Sequence, residues 1–321
     1  MKALGRWEGM LAGLILLLYA GFGIGVDGFL SPYALADGTV NVSERLVIAM
    51  AMAMLICAGE IDLSIAATMA LASLAMGLAM QAGAPLPLML LAGVATGAAC
   101  GLLNGWLVTR RGLPSIVVTI GTLSLYRGLA LVLLGDQAIT GYPEALSTLG
   151  YGTLGDLVGV PWLIVPIEFG IAVLFAGGVA VWMHRTVHGR RIYAVGANPV
   201  AARFSGIAVD RYRLGLFVFA GVAAALAAAL LTGRIGSTRP NLAAGWELDA
   251  ITIALLGGVA IQGGRGSMVG VMLAALLLGG FTFALGMLNV PGIVVSTILG
   301  ALLIGAMVLP KVLPAPGSRV G

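Results

Sequence analysis

An all-α membrane fold of about ten spanning helices is what this sequence predicts, on three observations. Of the 321 residues, 60% are hydrophobic and 9% are charged, and the mean hydropathy is +1.07, a composition no soluble domain can carry on its surface. Apolar runs recur at the length a bilayer requires, with most charges at their ends. Glycine is abundant, 49 residues in all, and small residues are what let helix backbones approach closely in a membrane.

At about 20 apolar residues per span, the helices fall near residues 9–30, 44–60, 62–82, 87–109, 113–134, 161–183, 213–232, 246–262, 268–288 and 291–309. An even count puts both termini on one side, and charge decides which. With the N-terminus inside, Lys2, Arg6, Arg110, Arg111, Arg185, Arg190, Arg191, Arg203, Arg211, Arg213, Arg265, Lys311 and Arg319 face the cytoplasm, against Arg45, Arg234 and Arg239 at the external span ends. The acids Asp27, Asp37, Glu44, Asp136, Glu144 and Asp156 gather mainly outside. That bias places both termini in the cytoplasm. The first span follows Lys2 and Arg6 and ends without a small-residue cleavage site, so it reads as retained.

Between the first spans, AGEIDLS at 58–64 sets Glu60 and Asp62 into an apolar run, with Gly59 breaking the helix before them. Because an ionisable side chain at membrane depth costs roughly 2.5–3.5 kcal/mol on insertion scales, each such group is a candidate for lining a translocation path. Asp62 and Ser64 also fit a plain capping role for the next helix, and Glu60 stays open. The run GVATGAACGLLNG predicts tight helix packing, and within it Asn104 fits either an interhelical hydrogen bond or the path. Arg127 lies past the middle of its span, either reaching outward or pairing with Glu168. Residues 135–160, rich in Gly, Pro and Tyr, form the longest external segment and suggest a lid or docking surface.

The segment from His184 to Arg213 is the one long basic stretch, with six arginines against Asp210. Within it Asn198 supplies an N-cap, Pro199 a first turn and Gly206 a stop, so 199–205 reads as a short surface helix with Val200 and Phe204 on one face. Such a helix fits a groove on a soluble partner, or it is an ordinary basic loop obeying the topology rule. Glu247 and Asp249 open the eighth span, either capping it or lining the external mouth. The glycine-rich GGVAIQGGRGS at 257–267 reads as a close-packed cytoplasmic turn. Trp7, Trp106, Trp162, Trp182 and Trp246 fall near span ends, as interfacial belts do. Short turns at 81–85 and 289–292 join antiparallel neighbours. LNG with PSIVVTIG at 103–121 and LNV with PGIVVSTILG at 288–300 hint at an inverted repeat, since the expected topology puts them on opposite sides.

Several classes are excluded. Lys2 precedes Ala and Lys311 precedes Val, so no Gly-Lys-Ser/Thr phosphate loop exists and the chain is not itself an ATPase. Cys57 and Cys100 lie in apolar spans, without a disulfide framework or metal-ligand cluster. Both histidines, His184 and His188, sit in the basic segment, which leaves no buried histidine relay. The formal charge of +4 reflects topology and implies no nucleic-acid partner.

Four stretches together resemble one family, the permease subunits of bacterial ABC importers for ribose, xylose, rhamnose and related sugars. GEIDLSIA at 59–66 is similar to that family's GGIDLSVG, with Glu60 and Ala66 in place of glycines. LPSIVVTIGTLSLYRGLA at 113–130, GRRIYAVGANPVAARFSGI at 189–207 and WELDAITIALLGGVAIQGGRGSMVG at 246–270 match its other motifs in the same order. The resemblance covers almost the whole chain and implies one permease domain, in a bacterial inner membrane, without catalysis of its own. It implies a cytoplasmic ABC ATPase subunit that binds the ATP and Mg, a second permease chain and a periplasmic sugar-binding protein. Coupling to the ATPase falls on Gly189, Arg190, Tyr193, Ala194, Gly196, Asn198, Ala201, Ala202, Phe204 and Gly206. Glu60, Asp62, Ser64, Asn104, Arg127, Glu247 and Asp249 are the path candidates. VNVSERL and the Glu60 variant lean toward a rhamnose or autoinducer-2-like cargo, with a pentose next. Two other readings stand: an ion-coupled secondary transporter using Glu60, Asp62 or Glu168, and an ABC permease for branched-chain amino acids.

Overall fold

The computed structural model describes residues 2–160 and 162–312. Its helices are α1 (Lys2–Gly25), α2 (Pro32–Cys57), α3 (Ile65–Gln81), α4 (Leu86–Arg111), α5 (Ser115–Leu134), α6 (Glu144–Tyr151), α7 (Leu154–Val158), α8 (Ile167–Arg185), α9 (Val187–Ala197), α10 (Pro199–Phe204), α11 (Val209–Ile235), α12 (Trp246–Leu256), α13 (Met268–Met287) and α14 (Gly292–Val312). Two two-residue strands, β1 (Ile139–Thr140) and β2 (Ser237–Thr238), pair antiparallel. Among the described residues seven helices, α1, α2, α4, α5, α8, α11 and α13, are long and apolar enough to cross a bilayer, so the fold is all-α and multi-pass.

The expected ten spans need three corrections. The third, α3, has 17 residues, and the eighth, α12, has only 11, about 16 Å of helix against a hydrocarbon core of about 30 Å. Gly245 and Gly258, both at φ 88°, bracket α12, while the irregular flanks stay apolar, which is why hydropathy alone reads a full span there. The second span, α2, starts at Pro32 instead of near 44, because the Ser31 hydroxyl accepts the Ala34 N–H and Pro32 opens the first turn. Glu44 and Arg45 therefore lie well inside a helix and not at its external end. Arg319 lies outside the described residues.

α2 is the axis of the molecule. Its stretch from Val42 to Cys57 is apolar on nearly every face and almost wholly buried, as a helix surrounded by other helices must be. It is enclosed by α8, α11, α12 and α13, with α9 across its last turn. Glycines recur every fourth residue along α4: Gly93 meets Met76 of α3, and Gly97, Gly101 and Gly105 form a stripe against α11. A Cβ at Gly97 would overlap the Gly221 carbonyl, and one at Gly101 would overlap that of Phe217. This is the close backbone approach the small-residue run predicts. Gly101→Val is expected to cost about 1–3 kcal/mol through overpacking and to cut the yield of monodisperse protein in detergent several-fold. An unchanged elution profile and thermal midpoint would contradict the α4–α11 contact.

LNG at 103–105 lies within α4 and LNV at 288–290 at the end of α13, and the prolines that follow them, Pro114 and Pro291, stand at turns at opposite ends. α4 closes at Gly112, φ 67°, before Pro114 opens α5, and α13 closes near Asn289, φ 57°, before Pro291 and α14. Among the described residues, α14 packs more on α12 than on α13.

Candidate coupling face and translocation path

At one end of the bundle the basic segment folds into two short helices. Thr186 caps α9, its hydroxyl accepting the Gly189 N–H at 3.2 Å. Asn198 Oδ1 accepts the N–H groups of Val200 and Ala201, both at 3.0 Å, so α10 has the expected cap and proline, and Gly206 at φ 78° ends the turn after it. Val200 and Phe204 project from it, Phe204 being 90% exposed, while Ala202 is buried beneath. Arg190, Ala201 and Gly206 are exposed, and Tyr193 and Ala194 are half-buried. The sequence signalled α10 but not α9, whose start depends on a threonine cap of little weight in a basic run.

Beneath these helices three chain segments meet backbone to backbone. The Gly264 N–H donates to Cys57 O at 2.9 Å, and Tyr193 Oη donates to Gly266 O at 3.0 Å. A Cβ at Gly196 would overlap the Cys57 carbonyl, and one at Gly264 would press on Ala197. Gly59 and Gly263 both adopt φ 82° to make the crossing. Gly189 is likewise sealed, against the Met183 carbonyl. The ends of α2 and α9 and the α12–α13 connection are thereby locked together, and 257–267 is the close-packed turn its glycines predict. His184 Nε2 accepts the Met268 N–H at 3.1 Å and ties α8 to the start of α13.

Four of the path candidates lie near this end. Glu60 is buried and sits 2.9 Å from Arg213 Nε, an ionic contact whose N–H is not aimed at the oxygen. Asp62 is buried and accepts from the Ser64 N–H at 2.8 Å and Ser64 Oγ at 2.6 Å. Asn104 Nδ2 donates to Ser64 Oγ at 2.8 Å, and Tyr126 Oη donates to Asn104 Oδ1 at 3.2 Å. Asp62, Ser64 and Asn104 thus form one satisfied network linking the start of α3 with α4 and α5, and the Ser64 side chain makes no capping hydrogen bond to α3.

Arg127, Glu247 and Asp249 lie at the opposite end. Arg127 Nη1 donates to Pro240 O at 2.7 Å and Leu242 O at 2.9 Å, pinning the loop before α12 to α5, and does not pair with Glu168. The partner of Glu168 is a cluster the sequence did not reveal. Arg234 donates to Glu44 Oε1 from Nη2 at 2.6 Å and from Nε at 2.9 Å, and its Nε lies 3.9 Å from Glu168 Oε2. Both carboxylates are fully buried, so two acids share one guanidinium. Residues 135–160 fold over it: α6 abuts the end of α11, where a Cβ at Gly150 would overlap Arg234 N, and α7 carries a Thr153–Asp156 capping box. Hydrogen bonds from the Thr153 backbone and side chain hold the Asp156 carboxyl below its usual range.

A cavity of about 790 Å³ opens beside α12, between α2, α13 and α14. Arg45 Nε meets Asp249 Oδ2 at 3.1 Å on its wall, Arg45 stacks over Trp246 at 4.3 Å, and Asn41, Asp37 and Thr252 add polar groups. One Glu247 carboxylate oxygen is buried without a partner. Asp249 therefore lines this cavity as well as lying in the first turn of α12.

Buried polar networks joined to a bundle of apolar, glycine-packed helices define a multi-pass membrane protein. The chain belongs to the family described as the permease component of branched-chain amino acid transport systems, whose pattern matches residues 34–307. It is 35% identical over 306 residues to the autoinducer 2 import system permease protein LsrD of Escherichia coli K12 and of Shigella flexneri, covering 94% of this chain and 91% of the relative. The same protein from Escherichia coli O157:H7 is 34% identical over the same lengths. No solved structure matches the chain.

Proposed function

We infer that the chain is the permease subunit of an ATP-binding cassette importer for a monosaccharide or related polyol, an autoinducer-2-like or rhamnose-like cargo ahead of a pentose. Similarity to permeases named for autoinducer 2 import supports the cargo. The observation that carries the coupling is α10, a capped helix presenting Val200 and an almost fully exposed Phe204 beside the close-packed glycine junction. A soluble ATPase gripping that helix acts on Gly196, and through the Cys57 and Gly264 backbone on α2 and the α12–α13 connection. α2 and α12 each reach the cavity at the far end, so closure of the motor tilts the helices that carry Arg45 and Asp249. Such a shift needs two stable packings of the same bundle. ATP and Mg stay on the motor, a second permease chain completes the path, and a periplasmic binding protein delivers the solute. Both termini then face the cytoplasm.

Cysteine placed at Phe204 is expected to cross-link to the ATPase subunit in inverted membrane vesicles. Labelling of that cysteine from the periplasmic face, with no cross-link, would reject the orientation and the coupling together. In the cavity, Arg45 and Asp249 offer a donor and an acceptor beside the Trp246 face, a combination suited to hydroxyl-rich solutes. Asp249→Asn is expected to lower ATP-driven uptake about tenfold, while ATP hydrolysis stimulated by the binding protein stays within about twofold of wild type. Equal loss of both activities would place Asp249 in the fold and not on the path. The same ion pair also suits a zwitterion, which keeps a branched-chain amino acid as the second reading. Thermal-shift screening of the binding protein with sugars and amino acids separates the two.

A further inference from the structure

We propose that the groove between the end of α4 and the start of α11 holds the phosphate headgroup of an anionic phospholipid. The groove has a volume of about 490 Å³, an apolar floor that includes Ile207, Val209 and Leu214, and a rim of Arg110, Arg203 and Arg211. Its one acid, Asp210, is taken by Arg203 at 2.8 Å. Among the described residues no carboxylate pairs with Arg110 or Arg211, both exposed, so the rim keeps an uncompensated double positive charge.

Beside the groove α4 supplies what a free anion does not need. Leu102, Trp106 and Arg110 follow one another at a spacing of four residues and so lie on one helix face. Leu102 is 51% exposed and Trp106 41% exposed, and the Arg111 guanidinium lies 4.9 Å from the Trp106 ring. An exposed tryptophan under an arginine marks headgroup depth in a spanning helix. The stripe therefore runs from an acyl-chain surface at Leu102 to a phosphate surface at Arg110, and an amphiphile satisfies both. Basic pockets between spanning helices bind anionic headgroups through the same chemistry. The groove adjoins the coupling face, since Arg203 of α10 and Gly206 line it, and the lipid and ATPase readouts below tell the two roles apart.

The test is native mass spectrometry of the purified permease with phosphatidylglycerol and with phosphatidylcholine. Wild-type protein is expected to retain phosphatidylglycerol preferentially and to lose that preference when salt is raised to about 0.5 M. R110Q/R211Q is expected to lose phosphatidylglycerol about tenfold or more, whereas R239Q, which removes an arginine at the opposite end, leaves retention unchanged. Trp106→Ala is expected to weaken retention, and added inorganic phosphate is expected not to displace the lipid. Equal retention of the two lipids by wild-type protein, or equal loss in R239Q and R110Q/R211Q, would overturn the proposal. So would displacement by phosphate with Trp106→Ala silent, which would make the groove a free-anion site. Unchanged lipid retention with loss of the ATPase subunit in R110Q/R211Q would make it a protein contact and overturn it equally.

Discussion

Phe204→Asp is expected to abolish ATP-driven uptake while leaving the amount of membrane-inserted protein unchanged. The side chain is 90% exposed at the end of α10 and contributes almost nothing to the permease's own packing. Its replacement therefore spares the fold. For a partner groove the substitution is severe: an apolar anchor is lost and a carboxylate is left to be desolvated, and anchors of this kind carry about 2–4 kcal/mol of binding. A loss of roughly 30-fold or more in affinity for the ATPase subunit follows. Co-purification of that subunit and uptake in proteoliposomes check it. Normal values of both in Phe204→Asp would remove the coupling assignment, whereas loss of inserted protein would show that Phe204 packs within the membrane.

The second large effect concerns the cluster at the other end. Arg234→Met is expected to destabilise the protein by about 3 kcal/mol, because it leaves the buried Glu44 carboxylate with no counter-charge. The figure sits at the lower end of the range for broken buried pairs because the Arg234 side chain is 22% exposed. Glu168→Gln is expected to be neutral or mildly stabilising. Both Glu168 oxygens lack hydrogen-bond partners, and an amide of the same shape removes the acid that exceeds what one guanidinium balances. Thermal unfolding in detergent separates the two variants. A Glu168→Gln protein as unstable as Arg234→Met would mean that both carboxylates are needed as charges.

The features legible in the sequence are those decided locally. Asn198, Pro199 and Gly206 lie within one short stretch and fix α10 by capping and backbone geometry alone. The glycine stripe of α4 declares its packing because period and residue size need no partner to be read. Asn104 in an apolar helix had to find hydrogen-bond partners inside the protein, and it found Ser64 and Tyr126. What stayed hidden depends on residues distant along the chain. Glu60 could line a path or pair internally, and only the arrival of the α11 N-terminus beside it brings Arg213 into contact. Arg127 could not be matched to Pro240 and Leu242, because backbone carbonyls carry no residue signature. The length of α12 was misread for a related reason: hydropathy reports transfer to lipid, not whether glycines at positive φ have ended the helix.

The central claim is that α10 is gripped by a motor the chain itself does not contain. It is tested most directly by solute uptake into proteoliposomes holding this permease with its binding protein, with and without the ATPase subunit and ATP, under an imposed proton or sodium gradient. Accumulation is expected only when ATPase and ATP are both present, whatever the gradient. Accumulation driven by the gradient with no ATPase in the membrane would contradict the account.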